Sequence, residues 1–263
     1  MAITKDDRLL YVGDLNGNIY ELAICQIQGS DITPSPKKKV GFEDSQISNN
    51  YSNNIMRSVK CTNINHNIIM RNEIIFCLTI SPDNKSLYIG DSKGYLKQFD
   101  IKTKKVVKDL GMVVVGMFKG IELTSDGHYL FLASNRANIV QIDLFEDFKR
   151  VIQKERFPAE QFSDMAISPD DKWLFFCGEN GLVKQFDIGQ NKFVASYTYL
   201  MINNVSSMSI TKDSRYLFLG GHQGRFKQID INKKAVIKDY TNIFQKTKSW
   251  LNMSHIESII CSH

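Results

Sequence analysis

Five related segments recur along this chain, and their repetition constrains the fold more than any single residue does. They read AITKDDRLLYVGDLNGNIYEL from Ala2, TISPDNKSLYIGDSKGYLKQFDI from Thr79 and ELTSDGHYLFLASNRANIVQIDL from Glu122. The last two are AISPDDKWLFFCGENGLVKQFDI from Ala166 and SITKDSRYLFLGGHQGRFKQIDI from Ser209. The apolar residue before each turn serves as a marker: Ile80, Leu123, Ile167 and Ile210 lie 43, 44 and 43 residues apart, and Ile3 precedes Ile80 by 77. A period in the low forties made of short alternating segments predicts an all-β chain of β-propeller blades, about five of them, each four-stranded. The longer first interval places a polar insertion at about residues 28–72.

Within one copy the residues predict each element. Ile74, Ile75, Phe76, Leu78 and Ile80 make an apolar innermost strand, expected to be buried on both faces. Ser81-Pro82-Asp83-Asn84 makes a turn, since Pro presets φ and Asp accepts backbone hydrogen bonds. Asp recurs there as Asp6, Asp83, Asp126, Asp170 and Asp213. Five repeats in register predict a structural cap rather than five active sites. Strand two, Ser86-Leu87-Tyr88-Ile89, ends on a small residue in every copy (Gly13, Gly90, Ala133, Cys177, Gly220), which predicts close approach of backbones or of a neighbouring blade. On strand three, Leu22, Phe99, Ile142, Phe186 and Ile229 share one face, while Ile19, Leu96, Ile139, Val183 and Phe226 share the other. The outermost strand, such as Val106-Val107-Lys108, is expected to be short and rich in Lys, a device that protects an edge.

At this point the residues resemble a known family. SPDNKSLYIGDSKGYLKQFDI looks like a WD-repeat blade, with Phe99-Asp100 where that family often carries Trp-Asp; Ile142-Asp143, Phe186-Asp187 and Ile229-Asp230 match it. Leu22-Ala23 departs from it. The family's Gly-His pair is missing from every copy, and Lys93, Arg136, Asn180 and Gln223 replace its hairpin Asp, so its His–Asp relay is not expected here. PDNKSLYIG also resembles YVTN-type propellers, which include lactonase-like enzymes. The first resemblance implies a non-enzymatic platform for protein–protein interaction; the second keeps a hydrolase in view, and a propeller fragment of a larger multidomain protein is a third reading.

Two sets of residues are singled out, one for partner binding and one for holding the blades together. Lys93, Arg136, Glu179, His222 and Arg225 stand at the tips of hairpins between strands two and three, where copies differ while their frames repeat, as expected of loops that carry specificity. Glu21, Gln98, Gln141, Gln185 and Gln228 form a ladder on strand three where WD-repeat blades usually carry an aliphatic residue. A buried amide needs partners, and the ladder is expected to bond backbone groups of the adjacent blade as an inter-blade tie.

Composition narrows the classes further. The net charge of +5 rests on Lys and Arg gathered after strand three, as in Lys102, Lys104, Lys105 and Lys108. Without an aromatic platform this reads as a solvated rim rather than a nucleic-acid site. Five scattered Cys and five His show no metal-ligand spacing, so no cofactor or metal is expected. No apolar run is long enough for a membrane span, and the N-terminal MAITKDDRLL lacks a signal-like apolar stretch, so a cytoplasmic protein is expected. In the insertion, Thr33 and Ser35 each precede a proline and Lys37, Lys38 and Lys39 follow; a disordered loop is the plain reading, with phosphorylation and a weak import signal as alternatives. The tail, Ser254 to His263, aligns with an innermost strand and is expected to complete the first copy, closing a ring of five; an open fragment of a larger propeller is the alternative.

Overall fold

A computed structural model describes residues 2–4, 8–14, 19–23, 61–63, 74–136, 139–146, 148–152, 162–178, 181–197, 205–221 and 225–240. These residues form five four-stranded antiparallel sheets, each ordered from an innermost to an outermost strand. Blade 1 comprises β1 (Ala2–Ile3), β2 (Leu9–Gly13), β3 (Ile19–Ala23) and β4 (Cys61–Asn63). Blade 2 comprises β5 (Ile75–Ile80), β6 (Ser86–Asp91), β7 (Tyr95–Asp100) and β8 (Lys105–Met112). Blade 3 is β9 (Phe118–Leu123), β10 (Tyr129–Ser134), β11 (Ile139–Asp143) and β12 (Lys149–Ile152). Blade 4 is β13 (Phe162–Ile167), β14 (Trp173–Gly178), β15 (Val183–Asp187) and β16 (Lys192–Tyr197). Blade 5 is β17 (Val205–Ile210), β18 (Tyr216–Gly221), β19 (Phe226–Asp230) and β20 (Ala235–Asp239).

Apolar side chains hold neighbouring blades face to face. Tyr11 and Ile19 of blade 1 pack with Leu87, Ile89 and Phe99 of blade 2. Tyr88 and Leu96 pack in turn with Phe118, Leu130 and Ile142 of blade 3. The largest cluster joins Phe131 of blade 3, Phe175, Phe176 and Phe186 of blade 4, and Leu217 and Ile229 of blade 5. The small residues ending strand two work as expected of a tight seam. A Cβ on Gly13 would fall 2.5 Å from the Ile75 side chain, and one on Gly90 would fall 2.8 Å from the Phe118 ring.

Several expectations change. Phe76 is 42% exposed, so the innermost strand is not buried on both faces. The cause is a β-bulge recurring in four blades, where the register slips at Phe76, Lys119, Ser163 and Ser206 and turns the extra residue out of the ladder. The edge strand is not uniformly short: β8 has eight residues and is the longest of the twenty strands. The insertion also yields structure, because Cys61–Asn63 inside it forms β4 and pairs with β3. The first copy has its own inner strand, with Ala2 opposite Tyr11 and Ile3 opposite Leu10. Residues 254–263, Thr33 to Lys39 and Asp6 lie outside the described residues.

Candidate functional site

The repeated turns show why an Asp stands in each copy. Ser81 Oγ donates to Asp83 at 2.6 Å and accepts the Ser86 N–H at 2.8 Å, while Asp83 also accepts the Lys85 N–H. Thr124 with Asp126, Ser168 with Asp170, and Thr211 with Asp213 repeat the clasp. The residue after the Asp takes a left-handed conformation at Asn84, Gly127, Asp171 and Ser214, which Asn, Asp and Gly tolerate best. The clasps also meet across blades: Asp171 accepts from the Ser125 N–H at 2.9 Å and its hydroxyl at 2.5 Å, and Ser214 Oγ accepts the Asp170 N–H. The Ser81 hydroxyl holds the Asp83 carboxyl below its ordinary range, and the Thr211 hydroxyl does the same to Asp213.

A second set of carboxylates caps the turn between strands three and four. Asp100 accepts the Thr103 N–H, Asp143 the Phe145 and Glu146 N–H groups, Asp187 that of Gln190, and Asp230 that of Lys233. The Asp of the Trp-Asp-like dipeptide is therefore a turn cap here. In blade 3 its free oxygen also meets His128 Nε2 at 3.1 Å.

The Gln ladder is corrected by its partners. Gln98 Nε2 donates to Ser86 Oγ at 2.9 Å, Gln185 Oε1 accepts from Tyr197 at 2.8 Å, and Gln228 Oε1 accepts from Tyr240 at 2.9 Å. All three bonds stay within one blade. Gln185 lies opposite Ala195 and Val183 lies opposite Tyr197, so the phenol is a diagonal neighbour on the next strand, within reach of a long side chain. The seam itself is filled by apolar groups, leaving the amides to bond across their own sheet. Gln141 Oε1 is buried with no hydrogen-bond partner among the described residues. Only Glu21 reaches another blade: it accepts from Tyr11 at 2.5 Å in its own blade and pairs with Lys104 of blade 2.

The ends of the inner strands define two openings. At the end where β5 begins, Ile75 pairs with Asp91 and the Ser92 N–H bonds Ile74 O, so the β6–β7 hairpin lies beside the bulge at Phe76. Asp91 fixes this hairpin by accepting the N–H groups of Lys93 and Tyr95. Gly94, at φ 90°, brings its carbonyl to Val113 N–H of the connection into blade 3, and Asn135 N–H holds the end of that connection at Met117 O. Lys93, Arg136, Lys119, Phe76, Tyr95 and Val115 are thus exposed at one end of the molecule. Arg225 is half-buried at the corresponding place in blade 5. Glu179 and His222 lie outside the described residues.

At the opposite end the inner strands enclose a cavity of about 550 Å³ bounded by blades 2 to 5. The sequence reading missed its chemistry. The residue before each apolar marker is Ala2, Thr79, Glu122, Ala166 or Ser209, and the last four line this cavity. Glu122 is the one ionisable side chain of that layer, and its singularity was visible in the aligned copies. Asp164, two residues before Ala166, has its oxygens on the N–H groups of Met165 (2.9 Å) and of Met208 in the next blade (2.8 Å). Burial raises the Asp164 carboxyl to about 7 against those bonds, and burial followed by the nearby Asp164 charge raises Glu122 to about 8. Among the described residues no three His, Cys, Asp or Glu converge as a metal site. No helix among them is long and apolar enough to cross a membrane.

The sheets and their radial order define a β-propeller. A solved structure, Kuenenia stuttgartiensis hydrazine synthase, shares this fold at TM-score 0.54 and 20% identity, over 63% of this chain and 48% of that one. The family model for the WD domain, G-beta repeat, matches residues 156–187, around blade 4. The chain is similar to the WD repeat-containing protein sll1491 of Synechocystis sp., 34% identical over 26% of this chain and 19% of that protein. It is also similar to Protein groucho of Drosophila melanogaster, 28% identical over 46% of this chain and 17% of that protein. Transcription factor unc-37 of Caenorhabditis elegans is 25% identical over 44% of this chain and 20% of that protein. The chain thus spans about a fifth of each relative. Its repeats are similar to those of WD-repeat propellers.

Proposed function

We propose that this propeller is a protein-interaction platform that reads its partner with the hairpin end of the disc. The observation that carries the reading is the composition of that end. Phe76 (42% exposed) and Lys119 at the inner-strand bulges, Val115 in the connection into blade 3, and Lys93, Tyr95 and Arg136 at the hairpins share this end, pinned by backbone bonds. Exposed aromatic groups beside cations on a rigid frame are what an interface hot spot uses, and they suit a partner segment carrying acidic and apolar residues. The WD-repeat relatives support an interaction role at the level of the family.

The test is affinity capture from native cells followed by mass spectrometry, run with the wild type, with Phe76→Ser and with a Lys93→Glu/Arg136→Glu variant. One reproducible partner, depleted at least tenfold by either variant while melting curves stay unchanged, is expected. Equal recovery on all three baits, or no reproducible partner, overturns the reading.

A further inference from the structure

The cavity at the other end of the inner strands has no part in the interaction reading, and its lining has a specific chemistry. Glu122 stands in a layer whose other members are Thr79, Ala166 and Ser209, all small. Directly opposite it on β10 is Phe131, fully buried. Its side chain is half-buried on the cavity wall, and its carboxyl makes no hydrogen bond or ion pair with any described residue. Asp164, its acidic neighbour, is committed to the Met165 and Met208 N–H groups. Asp171, at the mouth, is committed to Ser125. Lys212 stands at the mouth as the charged group of blade 5. A carboxyl without a partner in a desolvated position costs stability, and the blade closes equally well around the small residues of the other copies.

The remaining walls are apolar, from Ile80, Leu123, Ile167, Met208 and Ile210. One carboxyl, hydroxyls from Thr79 and Ser209, and an alkyl-lined wall match an organic cation better than a metal ion, which prefers several oxygen ligands. We propose that this cavity binds the ammonium or guanidinium head of a small organic cation or of a basic side chain, with Glu122 as its counter-ion. Binding favours the carboxylate, so a proton leaves Glu122 as the cation enters, and affinity rises with pH until the free carboxyl is ionised.

Calorimetry at pH 6, 7 and 8 tests this with n-butylammonium and methylguanidinium as free cations and N-acetyl-lysine N-methylamide as the peptide-like source. Saturable one-site binding is expected for at least one probe, strengthening about tenfold per pH unit below pH 8, with proton release seen as a dependence on buffer ionisation enthalpy. A preference for the lysine amide identifies a peptide side chain as the ligand, and a preference for the free cations identifies a metabolite-sized one. Glu122→Gln and Glu122→Thr, the latter copying Thr79, each weaken binding at least tenfold while remaining folded by circular dichroism. No binding of any probe at about 10 mM at pH 8, equal binding by the variants, or tighter binding of magnesium chloride than of the organic probes overturns the proposal. These outcomes leave the capture experiment at the hairpin end unaffected.

Discussion

The turn aspartates and the two channel acids are the same chemical group placed in opposite environments. Asp83, Asp126 and Asp213 lie in water and accept hydrogen bonds from Ser, Thr and backbone donors, so their carboxyls fall below the ordinary range. At Asp126 burial works against this, and the Thr124 hydroxyl and the His128 N–H prevail. Glu122 and Asp164 sit between inner strands where desolvation dominates, and their carboxyls rise to about 8 and about 7. The comparison teaches that repetition marks structure in this chain. The acid written at the same turn in every copy builds the blade, whereas Glu122, alone in its column, lines the cavity.

The largest expected effect is a pH dependence that separates the two sets. Glu122 and Asp164 bind protons more tightly folded than unfolded, so each contribution is complete below the unfolded value and is lost as pH rises toward 7 to 8. The turn aspartates run the other way: their contribution is present at neutral pH and is lost as pH falls through their lowered folded values. Stability should therefore peak near about pH 4–5 and decline by several kcal/mol toward pH 8. Urea titrations across that range check it, and Glu122→Gln should flatten the alkaline limb. A flat profile between pH 5 and pH 8 breaks the comparison.

The single-residue changes should be smaller. Asp164→Ala, measured at pH 5, removes the acceptor that joins β13 to Met208 of blade 5 and should cost about 1–3 kcal/mol. Asp170→Ala removes a turn acceptor used by Ser168 and by the Lys172 N–H. It should cost about 1 kcal/mol, with no change in the alkaline limb. Tyr197→Phe leaves buried Gln185 Oε1 without its donor; thermal melts should show a loss of about 1 kcal/mol, and adding Gln185→Leu should recover part of it. The smallest effect belongs to the rim, where Lys104→Ala breaks the pair with Glu21 and should change stability by less than about 1 kcal/mol, less still at high salt. A larger loss would make Glu21–Lys104 a true tie between blades 1 and 2.

Much of this was legible in the chain itself. The period named the blade, and alternation on strand three sorted Phe99 from Leu96. The small residue after strand two announced the seam that Gly90 and Phe118 make. Other features were not legible because they depend on distance across the sheet or across the seam. The Gln ladder was visible as a pattern, but its partners, Ser86, Tyr197 and Tyr240, are diagonal neighbours whose reach only the register fixes. The bulge that exposes Phe76 adds one residue to a strand and leaves no signature in hydrophobicity. Glu122 was odd in its column, yet its oddness acquired chemistry only when Asp164 and a cavity appeared beside it. The sequence by itself determined the blade, its turns and its period, because these rest on local dihedral preference and burial. Tertiary structure decided which carboxyls are desolvated, because desolvation is set by neighbours far apart along the chain.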